Sequence, residues 1–139
     1  MNSHDLFHSI HQLTRQLTKK LNEALEPYGL YSAQWSVLYT LKTKGTLTQR
    51  QLCDYLAVEA PPMTRTIQRL IKQDYVTQVQ GDDRRTKYIK LTKKALQVYP
   101  EWENAVIKMN EQVINHFPLS SQEQYCKLTL DWLHSLEKI

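Results

Sequence analysis

Between Gln73 and Tyr75 the apolar pattern of this chain changes period. Before that point apolar residues return every three or four positions, the spacing that lines one face of a helix. After it, residues 75–80 and 86–91 are β-prone and roughly alternating, the pattern of a half-buried strand. The segment between them, Gly81-Asp82-Asp83-Arg84-Arg85, is a charged turn former. A chain with this single switch is mainly α with a small β-hairpin.

The helices can be placed from their stripes and their ends. Leu6, Ile10, Leu13, Leu17, Leu21 and Leu25 form one stripe from about Asp5, closed by Pro27 and Gly29. Ser32 is the expected N-cap of a second helix through Trp35, Leu38, Tyr39 and Leu41, which Gly45 ends. Thr48 and Gln51 have capping-box spacing before Leu52 and Leu56. After a break at Ala57-Val58, a fourth helix runs from about Ala60 to Gln73 with Met63, Ile67, Leu70 and Ile71 inward. Pro61 and Pro62 suit a first turn, where an N–H has no partner within the helix. Thr92 caps a long helix to about His116, broken or bent near Pro100, and Pro118 ends it. Ser120 and Glu123 are spaced to cap a last helix carrying Tyr125, Leu128, Trp132, Leu133 and Leu136.

Three glycines leave no phosphate cradle, and no nucleophile is paired with a base, so no enzyme and no cofactor are expected. Cys53 and Cys126 form no CxxC pair and no His-Cys ligand spacing, so no metal is expected and both read as buried thiols. No apolar run reaches the roughly 20 residues of a membrane span, and Met1–Asp5 has no features of a secretory leader, so a cytoplasmic protein is expected. The charge is uneven. Gly45–Lys94 holds ten Lys and Arg against five Asp and Glu, an excess larger than the whole chain's net +4. A basic middle between near-neutral arms points to an anionic partner, double-stranded DNA first.

Short helix, helix, hairpin is the order of a winged helix-turn-helix, in which the second helix enters the major groove. The polar face of the 60–73 helix offers Thr64, Arg65, Gln68, Arg69 and Lys72. Arg and Gln make bidentate contacts to base edges, whereas Thr and Lys suit phosphates. The hairpin offers Arg84, Arg85 and Lys87 to the backbone or the minor groove.

Three runs carry a family resemblance: Leu52-Cys53-Asp54-Tyr55-Leu56, then Met63 through Leu70 with Tyr75-Val76, then Asp83-Arg84-Arg85 and Ile89-Lys90-Leu91-Thr92. Together they resemble the MarR family of bacterial transcriptional regulators over essentially the whole chain. The resemblance implies a homodimer with interlocking first and last helices, binding a palindromic operator, usually as a repressor. It implies that Arg85 is the wing arginine that reaches DNA and that Asp83 orients it, through a pair with Arg69. It implies that Thr64 and Arg65 meet bases and phosphates. Many relatives bind small aromatic ligands between arms and DNA-binding region, and here His8, His11, Arg15, Tyr28, Tyr31, Trp35 and Tyr39 are the candidates to line such a site. The chain departs from the family pattern at Asp74, where Gly is common, and at Pro61-Pro62, which remove two N–H groups that could hold a phosphate. It also has no cysteine in the first helix.

The dimer has a physical argument of its own. The first and last helices carry stripes too wide for a 139-residue monomer to bury easily, and a symmetric dimer would cover them. Residues 1–44 and 93–139 are therefore expected to form a helical dimerisation region, and 45–92 the winged helix-turn-helix that binds DNA. The competing expectation is a winged-helix module that docks protein instead. It calls for a less cationic face than Arg65, Arg69 and Lys72 provide.

Overall fold

The computed structural model describes residues 1–139, in six α-helices and three short strands. They follow the order α1 (Ser3–Leu25), α2 (Ser32–Lys44), β1 (Leu47–Thr48), α3 (Gln49–Leu56), α4 (Ala60–Lys72), β2 (Val76–Gln80), β3 (Lys87–Leu91), α5 (Lys93–Val113) and α6 (Leu119–Leu136). The chain divides into two compact units, Met1–Val106 and Ile107–Ile139.

Most helix ends lie where the sequence puts them. Two do not. Helix α2 starts at Ser32 rather than being capped by it. The Ser32 N–H donates to Asn22 Oδ1 at 2.7 Å, and Gln34 Oε1 takes the Tyr31 N–H at 2.9 Å, so the cap falls one residue earlier. Helix α6 starts at Leu119 behind Pro118, and no side chain caps it. Pro118 has a fixed φ and no N–H of its own, which leaves Ser120 inside the first turn and the expected capping box unformed. At the start of α1, Asn2 and Asp5 form a reciprocal box at 3.1 and 3.2 Å, extending the helix upstream of Asp5. Thr48 and Gln51 form theirs as expected.

Helix α5 runs unbroken through Pro100. Its buried face, Ala95, Tyr99, Trp102 and Val106, holds the helix together across the hydrogen bond that Pro100 cannot donate. Trp102 meets Tyr75 edge-on at 4.7 Å and Tyr99 at 6.2 Å, and Tyr99 stacks on Trp35 at 5.4 Å. Tyr99 is 2% exposed, and burial with Glu103 nearby pushes its phenol up to about 12. The raised value favours the neutral folded form. Stability from this group is therefore complete below the ordinary phenol pKa near 10 and is lost as pH rises from there to about 12. A pH titration of tyrosinate absorbance should show a step at about 12 that is lost in Tyr99→Phe.

The sheet has three antiparallel strands in the order β1-β3-β2, not a hairpin alone. Two-residue β1 pairs Leu47 with Ile89 and Thr48 with Tyr88. It is too short to show a period, which is why the sequence pattern does not reveal it. In the hairpin, Val76 faces Leu91 and Gln80 faces Lys87. Val76, Ile89 and Leu91 point into a core shared with Leu38, Leu52, Met63, Ile67 and Leu70. Ile71, expected inward, is 39% exposed, because it lies round the helix from the buried line of Met63, Ile67 and Leu70.

Ile107–Ile139 comprises the end of α5 and all of α6. No residue of α6 is buried, and Leu119, Leu128, Leu130, Leu133 and Leu136 are all at least half exposed. Cys126, also on α6, is exposed and not the buried thiol expected, since this face has nothing to bury it.

Candidate nucleic-acid interface

Helix α4 is held from three sides. Met63, Ile67 and Leu70, each no more than 2% exposed, lock its inner face. At its N-terminal half, Gln49 Nε2 donates to Thr64 Oγ1 at 2.7 Å and ties α4 to α3. Its C-terminus closes in a Schellman motif: the Tyr75 N–H donates to the Leu70 carbonyl and the Asp74 N–H to the Ile71 carbonyl, both at 2.9 Å. Asp74 takes the left-handed conformation the motif requires, with φ of 63°, so it does the work of the more usual glycine.

The turn after α4 is fastened further. Thr92 Oγ1 donates to the Asp74 carbonyl at 2.7 Å, and Lys94 Nζ to the Gln73 carbonyl at 3.0 Å. Buried Gln34 donates to Gln73 Oε1 at 2.6 Å, and Gln73 Nε2 donates onward to the Gly29 carbonyl at 2.9 Å. Gln34, Gln49, Gln73, Thr92 and Lys94 are thus positioning residues for α4 that sequence reading missed. Only the N-cap role of Thr92 was visible beforehand, because the others act between segments 15 to 44 residues apart.

With the inner face locked, Arg65, Gln68, Arg69 and Lys72 lie on the outer face at i, i+3, i+4 and i+7 and are exposed. Thr64 is half-buried, its hydroxyl already engaged by Gln49. At the wing, Arg84, Arg85 and Lys87 are exposed. None of the six cations is in a salt bridge; the chain's two ion pairs are Lys20–Glu23 and His134–Glu137. The expected pair between Asp83 and Arg69 is absent. Asp83 Oδ1 instead accepts the backbone N–H of Arg85 at 3.0 Å, a tight local turn that keeps the carboxylate at the wing tip. Arg69 lies over the Tyr31 ring, 6.0 Å from its centroid.

A cavity of about 580 Å³ opens among Arg15, Thr18, Lys19, Asn22, Glu23, Glu26, Gly29, Leu30 and Tyr31. Of the residues expected to line a ligand site, Arg15 and Tyr31 are in its wall; His8, His11, Tyr28 and Tyr39 are not. Trp35 belongs to the core, 8% exposed and stacked on Tyr99, and Tyr39 sits against it at 5.9 Å. Aromatic side chains at helical spacing were drawn into packing here. His4 and His8 stand one turn apart on α1, but no group of three His, Cys, Asp or Glu residues is placed to hold a metal ion. The Cys53 thiol is half-buried, its pKa raised by burial and by the carboxylates of Asp54 and Glu59. No helix is long and apolar enough to cross a membrane.

Residues 30–95, spanning α2 to the start of α5, match a winged helix DNA-binding domain family. The chain is 46% identical over 123 residues to the uncharacterized HTH-type transcriptional regulator YwoH of Bacillus subtilis (strain 168), covering 88% of this chain and 90% of that protein. Among solved structures, it superposes with a TM-score of 0.86 on a MarR transcriptional regulator from Methanosarcina mazei Go1, at 24% identity, covering 100% of this chain and 94% of that one. It superposes with a TM-score of 0.84 on a MarR mutant from E. coli complexed with operator DNA, at 22% identity, covering 93% and 94% of the two chains.

Proposed function

This chain belongs to the HTH-type transcriptional regulators with a winged helix DNA-binding domain, and we propose that it is a MarR-family member that holds duplex DNA with α4 in the major groove and the β2–β3 wing on the flanking backbone or minor groove. Arg65, Gln68 and Arg69 read base edges. Thr64 and Lys72 take phosphates, and Arg84, Arg85 and Lys87 serve the wing, where Asp83 shapes the turn. The observation that carries this reading is the outer face of α4: four exposed donor side chains on one stripe, on a helix whose opposite face is locked, with no carboxylate neutralising them. The assignment involves no reaction. It places the protein with the genome in the cytoplasm, as a repressor.

The test is a mobility shift on the protein's own upstream DNA across a salt series. Binding should weaken with a log–log slope near −0.9 per neutralised phosphate. A complex insensitive to salt, or none, would favour the protein-docking module instead.

The working unit is a homodimer built from residues 1–44 and 93–139, with 45–92 as the DNA-binding region. Support comes from the exposed leucines of α6 and from Leu6, Leu13 and Leu17 of α1, which are 36–46% exposed in the single chain. A twofold axis would set the two α4 helices about 34 Å apart, one turn of DNA. The double variant Leu128→Glu/Leu133→Glu should sediment at the 16.4 kDa of one chain where the wild type sediments at twice that. Persistence of the dimer in that variant would exclude α6 as its seam. The cavity beside Arg15 and Tyr31 is the site for a small aromatic ligand, which would release the repressor from DNA.

A further inference from the structure

We propose that Pro61 determines operator specificity by packing against the 5-methyl group of a thymine; the inference rests on α4 lying in the major groove. Pro61 is exposed and stands four residues before Arg65, on the same stripe as Arg65, Arg69 and Lys72. It therefore faces the bases one helical turn, roughly 6 Å along the axis, from Arg65. That is within two steps of the roughly 3.4 Å base rise.

The chemistry of this turn is unusual for a DNA reader. Pro61 and Pro62 have no N–H, and the Met63 N–H is spent on the Glu59 carbonyl at 3.2 Å. The side chains of Ala60, Pro61 and Pro62 carry no donor. Purines present acceptors at N7, and guanine also at O6, so the side chains of this turn cannot read them by hydrogen bonds. A phosphate is disfavoured too, because exposed Glu59 at the N-cap would repel it. The apolar feature left on the major-groove edge is the thymine methyl. The ring carbons of Pro61 match it, and its missing N–H costs nothing there.

The experiment selects duplexes from a random library with the full-length protein. Each thymine of the selected site is then replaced by deoxyuridine, which removes the methyl alone. One thymine per half-site, within two base pairs of a base protected by Arg65, should weaken binding about fourfold on replacement, the worth of one buried methyl or methylene group. In Pro61→Ser that penalty should disappear. If a selected duplex binds and no uracil replacement matters, or if Pro61→Ser keeps the full penalty, this assignment is overturned while the groove-docking reading stands. If no duplex is enriched, both fall. Should Pro61→Ser fail to fold by circular dichroism, the uracil scan with the wild-type protein decides alone.

Discussion

Arg85→Ala should lower operator affinity on the order of 100-fold and flatten its log–log salt slope by about 1.8. Each wing carries one Arg85, so a dimer loses two cations, and each phosphate contact contributes about 0.9 to the slope. A hydrogen bond to a charged group is worth roughly 1.5–3 kcal/mol, which for two contacts amounts to at least that loss. The substitution is a clean one. Arg85 is exposed and outside any salt bridge, and the hydrogen bond that orders the wing tip comes from its backbone N–H to Asp83, which alanine keeps. The fold should therefore stay as it is. Unchanged affinity in a salt-titrated mobility shift would remove the wing from the interface and leave α4 to carry the whole contact.

Trp102→Ala should cost about 3–5 kcal/mol of folding free energy, the range for a large buried aromatic. Trp102 is 1% exposed and meets Tyr75 and Tyr99 edge-on. Such aromatic pairs add roughly 0.5–1.5 kcal/mol beyond buried area. The consequence reaches the DNA-binding face, since Tyr75 is the residue whose N–H closes the C-terminus of α4. Denaturant unfolding at fixed protomer concentration measures the loss, and Leu96→Ala, at a 49% exposed site on the same helix, is the comparison. If the two variants lose equal stability, Trp102 is not the centre of packing that its contacts indicate.

The elements legible in the sequence were those whose signal is local. The stripe Met63–Ile67–Leu70, the box of Thr48 with Gln51 and the turn formers at 81–85 each lie within one segment, and each formed. Asp74 was legible for the same reason: a tight helix exit needs a residue tolerant of positive φ. The cations of α4 and of the wing were readable from the sequence as a charge excess. Several of the expectations that failed depended on neighbours far along the chain. Ser32 lost its cap because Asn22, ten residues away, takes its N–H. Trp35 left the proposed ligand wall because Tyr99, from another helix, stacks on it. Strand β1 exists only because β3 is there to pair with it. Asp83, by contrast, failed locally, taking the N–H of Arg85 two residues on rather than Arg69.

Sequence alone therefore determined the order of the helices and the hairpin, the inward line of α4 and the sign of the charge it displays, because periodicity, capping and composition act within a few residues. Tertiary structure alone decided how α4 is held: the bonds from Gln49 to Thr64, from Gln34 to Gln73 and from Lys94 to the Gln73 carbonyl. A side-chain donor reaches about 3 Å, and only folding brings residues 15 to 39 positions apart within that distance.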